Sequence, residues 1–129
     1  MKKIFIQGLV AGFLASALSI LYFQLYQSAL DTAFDKIINR GAIIGSSVFG
    51  CVLIAIGTMF LQKFKLEKFK GIYNLLIVVL SFVSIIGPLG MSLPLNIEAP
   101  ELFPGLAIPM HFFPVLVYFS IEPFFTVKI

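Results

Sequence analysis

One cysteine, one histidine and a charged fraction of 12% leave little room for chemistry in this 129-residue sequence. Cys51 alone cannot close an internal disulfide, so cysteine says nothing about redox compartment. In apolar surroundings a thiol behaves as an inert packing group. A typical zinc or copper site needs more histidine and cysteine than His111 and Cys51 supply. Haem with His111 as its sole axial ligand has no further support in the sequence. There is no phosphate-cradling glycine loop and no nucleophile elbow. No serine stands in a recognisable triad with the only histidine. These absences point away from an enzyme and imply no cofactor.

Apolar residues are what the chain does have. It is 60% hydrophobic, with a mean hydropathy of +1.06. A soluble domain cannot hide that much apolar surface, so the chain reads as an integral membrane protein. Four runs of spanning length follow one another, at about 4–26, 41–61, 71–91 and 105–125; each is close to the ~20 residues that cross a bilayer as helix. The fold expected is all-α: one four-helix transmembrane domain over residues 1–129. A signal-peptide reading of the start, with Ala15-Ser16-Ala17 as the cleavage site, is weaker, because the apolar run continues well past Ala17.

The positive charge sits where membrane proteins place it. Of nine Lys and Arg, seven lie at the N-terminus (Lys2, Lys3), in QKFKLEKFK at 62–70, or at Lys128. Only Lys36 and Arg40 lie in the other two connections, beside Asp31, Asp35, Glu98 and Glu101. The positive-inside rule then puts both termini and the 62–70 loop in the cytoplasm, and an even number of spans requires the termini to share a side. The location expected is a bacterial inner membrane. A basic, aromatic-rich loop can also bind nucleic acid, but a nine-residue turn between spans is more simply a contact with anionic lipid, and no nucleic-acid partner is expected.

Small residues mark the first two spans. At 100° per residue Gly8, Gly12, Ala15 and Ser19 share one face with Tyr22 and Tyr26. Ser46, Gly50 and Gly57 share a face of the second span, which opens with Gly41-x-x-x-Gly45. Such stripes let helix backbones approach where lipid gives no hydrophobic drive. They serve either internal packing, which is the commoner use, or a homo-oligomer or another membrane subunit. Between these spans, Ser28-Ala-Leu-Asp31 resembles a capping box. It predicts a short amphipathic surface helix, or the first helix continued beyond the bilayer. In the third span Asn74, Ser81 and Pro88 share a face, and Gly87-Pro88 should end or bend the helix.

The fourth span, GLAIPMHFFPVLVYFSIEPFF, joins ionisable groups to helix breakers. On an ideal helix His111, Tyr118 and Glu122 fall within about 20° of one line, with His111 ~9 Å inside the outer end and Glu122 ~16 Å further in. Pro109, Pro114 and Pro123 should kink the helix. Pro109 and Pro114 leave the carbonyls of Gly105 and Met110 without their usual partners, and in lipid these need another donor. One reading is a polar pathway, since ionisable groups within spans are functional candidates. The other is structural, with His111 bonded to a freed carbonyl, Asn74 or Ser81, and Glu122 meeting water, Lys63 or Lys128.

Two families of this size fit poorly. Small multidrug exporters carry a glutamate in their first helix, which 4–26 lacks. Dual-topology fluoride channels need a weaker charge bias. The chain instead resembles a family of small bacterial four-span membrane proteins of unknown function. The likeness is carried by Lys2-Lys3-Ile4 with Gly8-Leu-Val-Ala-Gly12, by Leu80-Ser81 with Pro88-Leu89, and by Met110-His111. The resemblance implies four spans, singles out Met110-His111, and brings no activity. The leading expectation is a non-enzymatic packing or accessory subunit; the alternative is a small transporter or channel using the polar stripe of the fourth helix.

Overall fold

Backbone amides in hydrocarbon must bond within their own segment, and the apolar runs are accordingly helices. The computed structural model describes residues 1–31, 34, 35, 37–90, 92, 93, 95 and 100–126. Lys36, Glu98 and Lys128 lie outside the described residues. The elements are α1 (Lys2–Leu30), α2 (Arg40–Lys63), α3 (Lys70–Ser84), α4 (Ile86–Gly90) and α5 (Phe103–Thr126). One-turn 3-10 helices at Glu67–Phe69 and Pro100–Leu102 lead into α3 and α5. No strand occurs among the described residues. Among the described residues, four helical segments are long and apolar enough to cross a bilayer. The chain is therefore an all-α, multi-pass membrane protein built as a four-helix bundle.

Helix ends follow local chemistry, and two of them differ from expectation. Ser28-Ala-Leu-Asp31 does not start a helix; it finishes one. The apolar run carries α1 through Ser28 to Leu30, and Asp31 caps it in the left-handed region (φ 50°, ψ 47°), its N–H donating to the Gln27 carbonyl. Aspartate tolerates that conformation better than most residues. The Gln27 side chain accepts from the Phe34 N–H at 2.5 Å, and Phe34 is buried edge-on to Phe103. The chain is thereby turned back against α5, and no separate surface helix forms among the described residues of this connection. Asn39 then caps α2, its side-chain oxygen accepting from the Ala42 N–H at 2.7 Å.

The third span breaks three residues ahead of the expected Gly87-Pro88. Pro88 brings no N–H to the Ser84 carbonyl, and its ring crowds that oxygen. Regular helix stops at Ser84 and resumes only as the short α4. By contrast α5 is continuous from Phe103 to Thr126 with all three prolines inside it.

Packing is unequal. α1 lies against both α2 and α5, and its buried residues include Gly8, Ala11, Gly12, Ala15, Ser16 and Ser19. A methyl group added at Gly12 would sit 2.7 Å from the Val48 Cα, and one added at Gly8 would sit 2.7 Å from the Ala55 Cβ. The small face of α1 is thus spent on close contact with α2 inside the chain. One core cluster, with Ala15, Cys51, Ala55 and Tyr118, lies toward the lysine-rich end. The other, with Phe23, Phe34, Ile43 and Phe103, lies toward the opposite end. α3 is the outlier: only Ser81 of its residues is buried. Leu75, Leu76, Val79 and Phe82 stay exposed, as lipid-facing side chains should.

Gly12→Ala is expected to lower unfolding stability in bilayers by about 1–3 kcal/mol through overpacking against Val48. Gly45→Ala meets open space within 4 Å, so it should be neutral or slightly stabilising. Steric-trap unfolding of both variants checks the pair.

Candidate functional site

The site begins with the carbonyl that Pro109 frees. The Tyr22 hydroxyl on α1 donates to the Gly105 carbonyl at 2.7 Å, which supplies the donor that Pro109 lacks. One turn further along α1, the Tyr26 hydroxyl donates to the Leu102 carbonyl. At the other end of α1, Gln7, itself buried, donates its Nε2 to the Tyr118 carbonyl at 3.3 Å. These side-chain bonds fasten α5 to α1 along its length, whereas α3 buries only Ser81.

Where α3 stands away, a cavity of about 630 Å³ opens among α1, α2, α3 and α5. It lies in the half of the bundle away from the lysine-rich loop. Its walls carry Ser19 of α1, Ser46 and Ser47 of α2, Ser81 and Ser84 of α3, and His111 of α5. Leu53 of α2 and Leu80 of α3 line it and remain 49% and 59% exposed, so the mouth lies between α2 and α3. Its volume is that of a small-molecule site, roughly 300–1,000 Å³.

His111 is bonded to Ser84, Nδ1 to Oγ at 3.0 Å. Ser81 and Asn74, the partners expected from sequence, are not used: the Ser81 hydroxyl donates to its own helix at Ile77. The Ser84 hydroxyl also contacts the Ser81 carbonyl at 2.6 Å. A serine hydroxyl has one proton and a carbonyl can only accept. That proton therefore goes to Ser81, and His111 must donate Nδ1–H to Ser84. Nε2 is left as the lone-pair nitrogen.

The expected stripe does not run on as a continuous path. Tyr118, 1% exposed, turns into the core, and its hydroxyl donates to Thr58 at 3.4 Å. Thr58 and Tyr73 both donate to the Ile54 carbonyl, at 3.0 and 2.8 Å. Gly57 makes room for the Tyr73 ring. Beyond them Glu122 forms an ion pair with Lys70, not with Lys63; Lys128, the other expected partner, lies outside the described residues. The cavity wall stops at Ile54, Ile77 and Val115; the layer of Tyr73, Thr58 and Tyr118 lies about one helical turn beyond, backed by the Lys70–Glu122 pair.

Other sequence candidates sort themselves by helix. Gly8, Gly12, Ala15 and Ser19 are buried in α1. Ser46 and Gly50, read as packing residues, line the cavity. Ser84, Ser47, Thr58, Tyr73, Lys70 and Gln7 were not singled out. The signals for them were faint: the i, i+3 pair Ser81/Ser84 and the doublet Ser46-Ser47. Among the described residues no three His, Cys, Asp or Glu gather as a metal site. No family model, curated protein or solved structure matches the chain.

The tyrosine clamp is tested by a double-mutant cycle. Tyr22→Phe should cost about 1–3 kcal/mol by orphaning the Gly105 carbonyl. In a Pro109→Ala background the restored residue-109 N–H serves that carbonyl, and the same change should cost clearly less.

Proposed function

We propose that this protein is a small, non-enzymatic carrier of the bacterial inner membrane. Its lysine-rich loop and both termini lie in the cytoplasm by the distribution of basic residues. The observation that carries the reading is the cavity. It is ligand-sized, holds the only histidine, opens on one half of the bilayer, and stops about midway, one turn short of a layer of hydrogen bonds and one ion pair. A carrier needs a site reached from one side and a closure that can be exchanged for another. The Tyr118–Thr58 and Lys70–Glu122 contacts are that closure: both join α5 to helices it could move against, and both are polar links that can re-form with water. Of the four spans, the one formed by α3 and α4 is the least buried and has least to lose by moving.

A second reading, an accessory subunit or homo-oligomer, is favoured by that same sparse burial of α3. A partner could complete the bundle where α3 stands off.

Accessibility separates the two. The cavity wall also runs up through exposed Ser46 and Ala42 toward the Arg40 end of α2, so in a Cys51→Ala background Ser46→Cys should react with an impermeant thiol reagent added from the Arg40 side only. With Lys70→Ala and Tyr118→Phe added, it should also react from the lysine-rich side. Reaction that is unchanged on breaking the closure contradicts the carrier. Protection of Ser46→Cys in native membranes, lost on purification, supports the subunit instead.

A further inference from the structure

Taking the cavity as the working site, we propose that its occupant is an uncharged amphiphile carrying a hydroxyl group, drawn laterally from the bilayer between α2 and α3. This deepens the carrier reading by naming its ligand class.

Charge comes first. Among the described residues that line the cavity, none is Asp, Glu, Lys or Arg. The nearest ion pair, Lys70–Glu122, is self-satisfied and lies beyond the tyrosine layer. An ion placed in the cavity would lose its water and gain no counter-charge. The occupant is therefore neutral.

Shape and polarity come next. Ile54, Ile77, Leu80, Met110 and Val115 supply apolar wall, and Leu53 and Leu80 stand exposed at the mouth. A molecule already dissolved in lipid passes between them without leaving an apolar medium. Polar wall is confined to serines and His111, so one end of the occupant is polar and the rest is hydrocarbon.

The head group follows from two unspent hydrogen-bonding positions. His111 donates Nδ1–H to Ser84, so Nε2 presents a lone pair and calls for a donor. Quinones, ketones and ethers have none to give; an alcohol has. The second position is Ser19. Ser16, Thr58, Ser81 and Ser120 each return their hydroxyl to the carbonyl four residues back. Ser19, 1% exposed on the cavity wall, does not, and its Oγ is the one buried side-chain oxygen or nitrogen without a partner among the described residues. By the alignment of Tyr22 with Gly105 and of Gln7 with Tyr118, Ser19 lies about one helical turn, ~5 Å, from the level of His111. A hydroxyl is both donor and acceptor. It gives its proton to His111 Nε2 and offers its lone pairs toward Ser19.

The test uses the whole chain in nanodiscs and a diazirine-bearing dodecanol as photoprobe. Label is expected on the cavity segments of α2, α3 and α5. Dodecanol should compete with the probe about tenfold better than dodecyl methyl ether, the discrimination expected when a buried nitrogen is left without its donor. His111→Phe should abolish that preference. Ser84→Ala, which leaves the imidazole in place but frees its tautomer, should reduce it. Equal competition by alcohol and ether in the unaltered protein overturns the proposal and needs no variant to fold. Label spread evenly over the lipid face of α3 at Leu75 and Leu76 overturns it too, as does a preference untouched in both variants. Binding is read here at equilibrium, so failure leaves the sided accessibility of Ser46→Cys standing, and a failed carrier leaves the alcohol preference standing.

Discussion

No backbone carbonyl can go unpaired in hydrocarbon, and the interior of α5 carries three prolines, Pro109, Pro114 and Pro123, that each withhold a donor. The structure depends on how that demand is met. Tyr22 reaches across from α1 to the carbonyl that Pro109 frees, with Gln7 bonding the Tyr118 carbonyl further along α5 and Tyr26 the Leu102 carbonyl just ahead of it. The prolines thereby turn α5 from a self-contained helix into one that needs a neighbour. Among the described residues α1 offers two hydroxyls and an amide at those heights, and Cys51 of α2 bonds the Pro114 carbonyl.

The rest follows by competition for α1. Its glycines bring α2 into backbone contact on one face, and its polar side chains hold α5 on another. α3 is left with what remains: Ser81 in the interior, Tyr73 in the notch beside Gly57, and the ion pair from Lys70 to Glu122. Tyr73 and Lys70 sit in the half of α3 nearest the lysine-rich loop, and Ser81 lies beyond its middle. The other half, cut short at Ser84 by Pro88, reaches α5 through the His111–Ser84 bond and the edge-on contact of Phe82 with Phe112. A bundle fastened firmly at one end and lightly at the other has a cavity at the lightly fastened end, and the position of the site follows from that imbalance.

Much of the fold was legible in the sequence, because hydrocarbon narrows the choices. Apolar runs of spanning length separated by lysine-rich or proline-rich breaks admit little besides helices. The small face of α1 was legible as a packing face, and the need of the Gly105 carbonyl for a foreign donor followed from Pro109 alone. The partners were not legible. Ser84 lies 27 residues from His111 and Lys70 lies 52 from Glu122, and no local periodicity links positions so far apart. The apparent line of His111, Tyr118 and Glu122 was real as helix geometry but misleading as a path. Each side chain meets a different neighbour, and neighbours are set by tertiary packing. The Ser28–Asp31 pattern misled for a related reason: the same residue types that begin helices also suit their C-terminal caps, and only the tertiary pull of Phe34 on Phe103 decides between them.

The central claim is that α1 binds α2 and α5 tightly while the half of α3 around Leu80 stands apart from α2. Double electron–electron resonance in nanodiscs measures this directly, with spin labels at Leu53 and Leu80 across the mouth and a second pair spanning the outer faces of α1 and α2. The account predicts a narrow distance distribution for α1–α2 and a longer, broader one for Leu53–Leu80. A Leu53–Leu80 distribution as narrow as that of α1–α2, at the spacing of directly packed helices, would leave no room for the cavity and would contradict it.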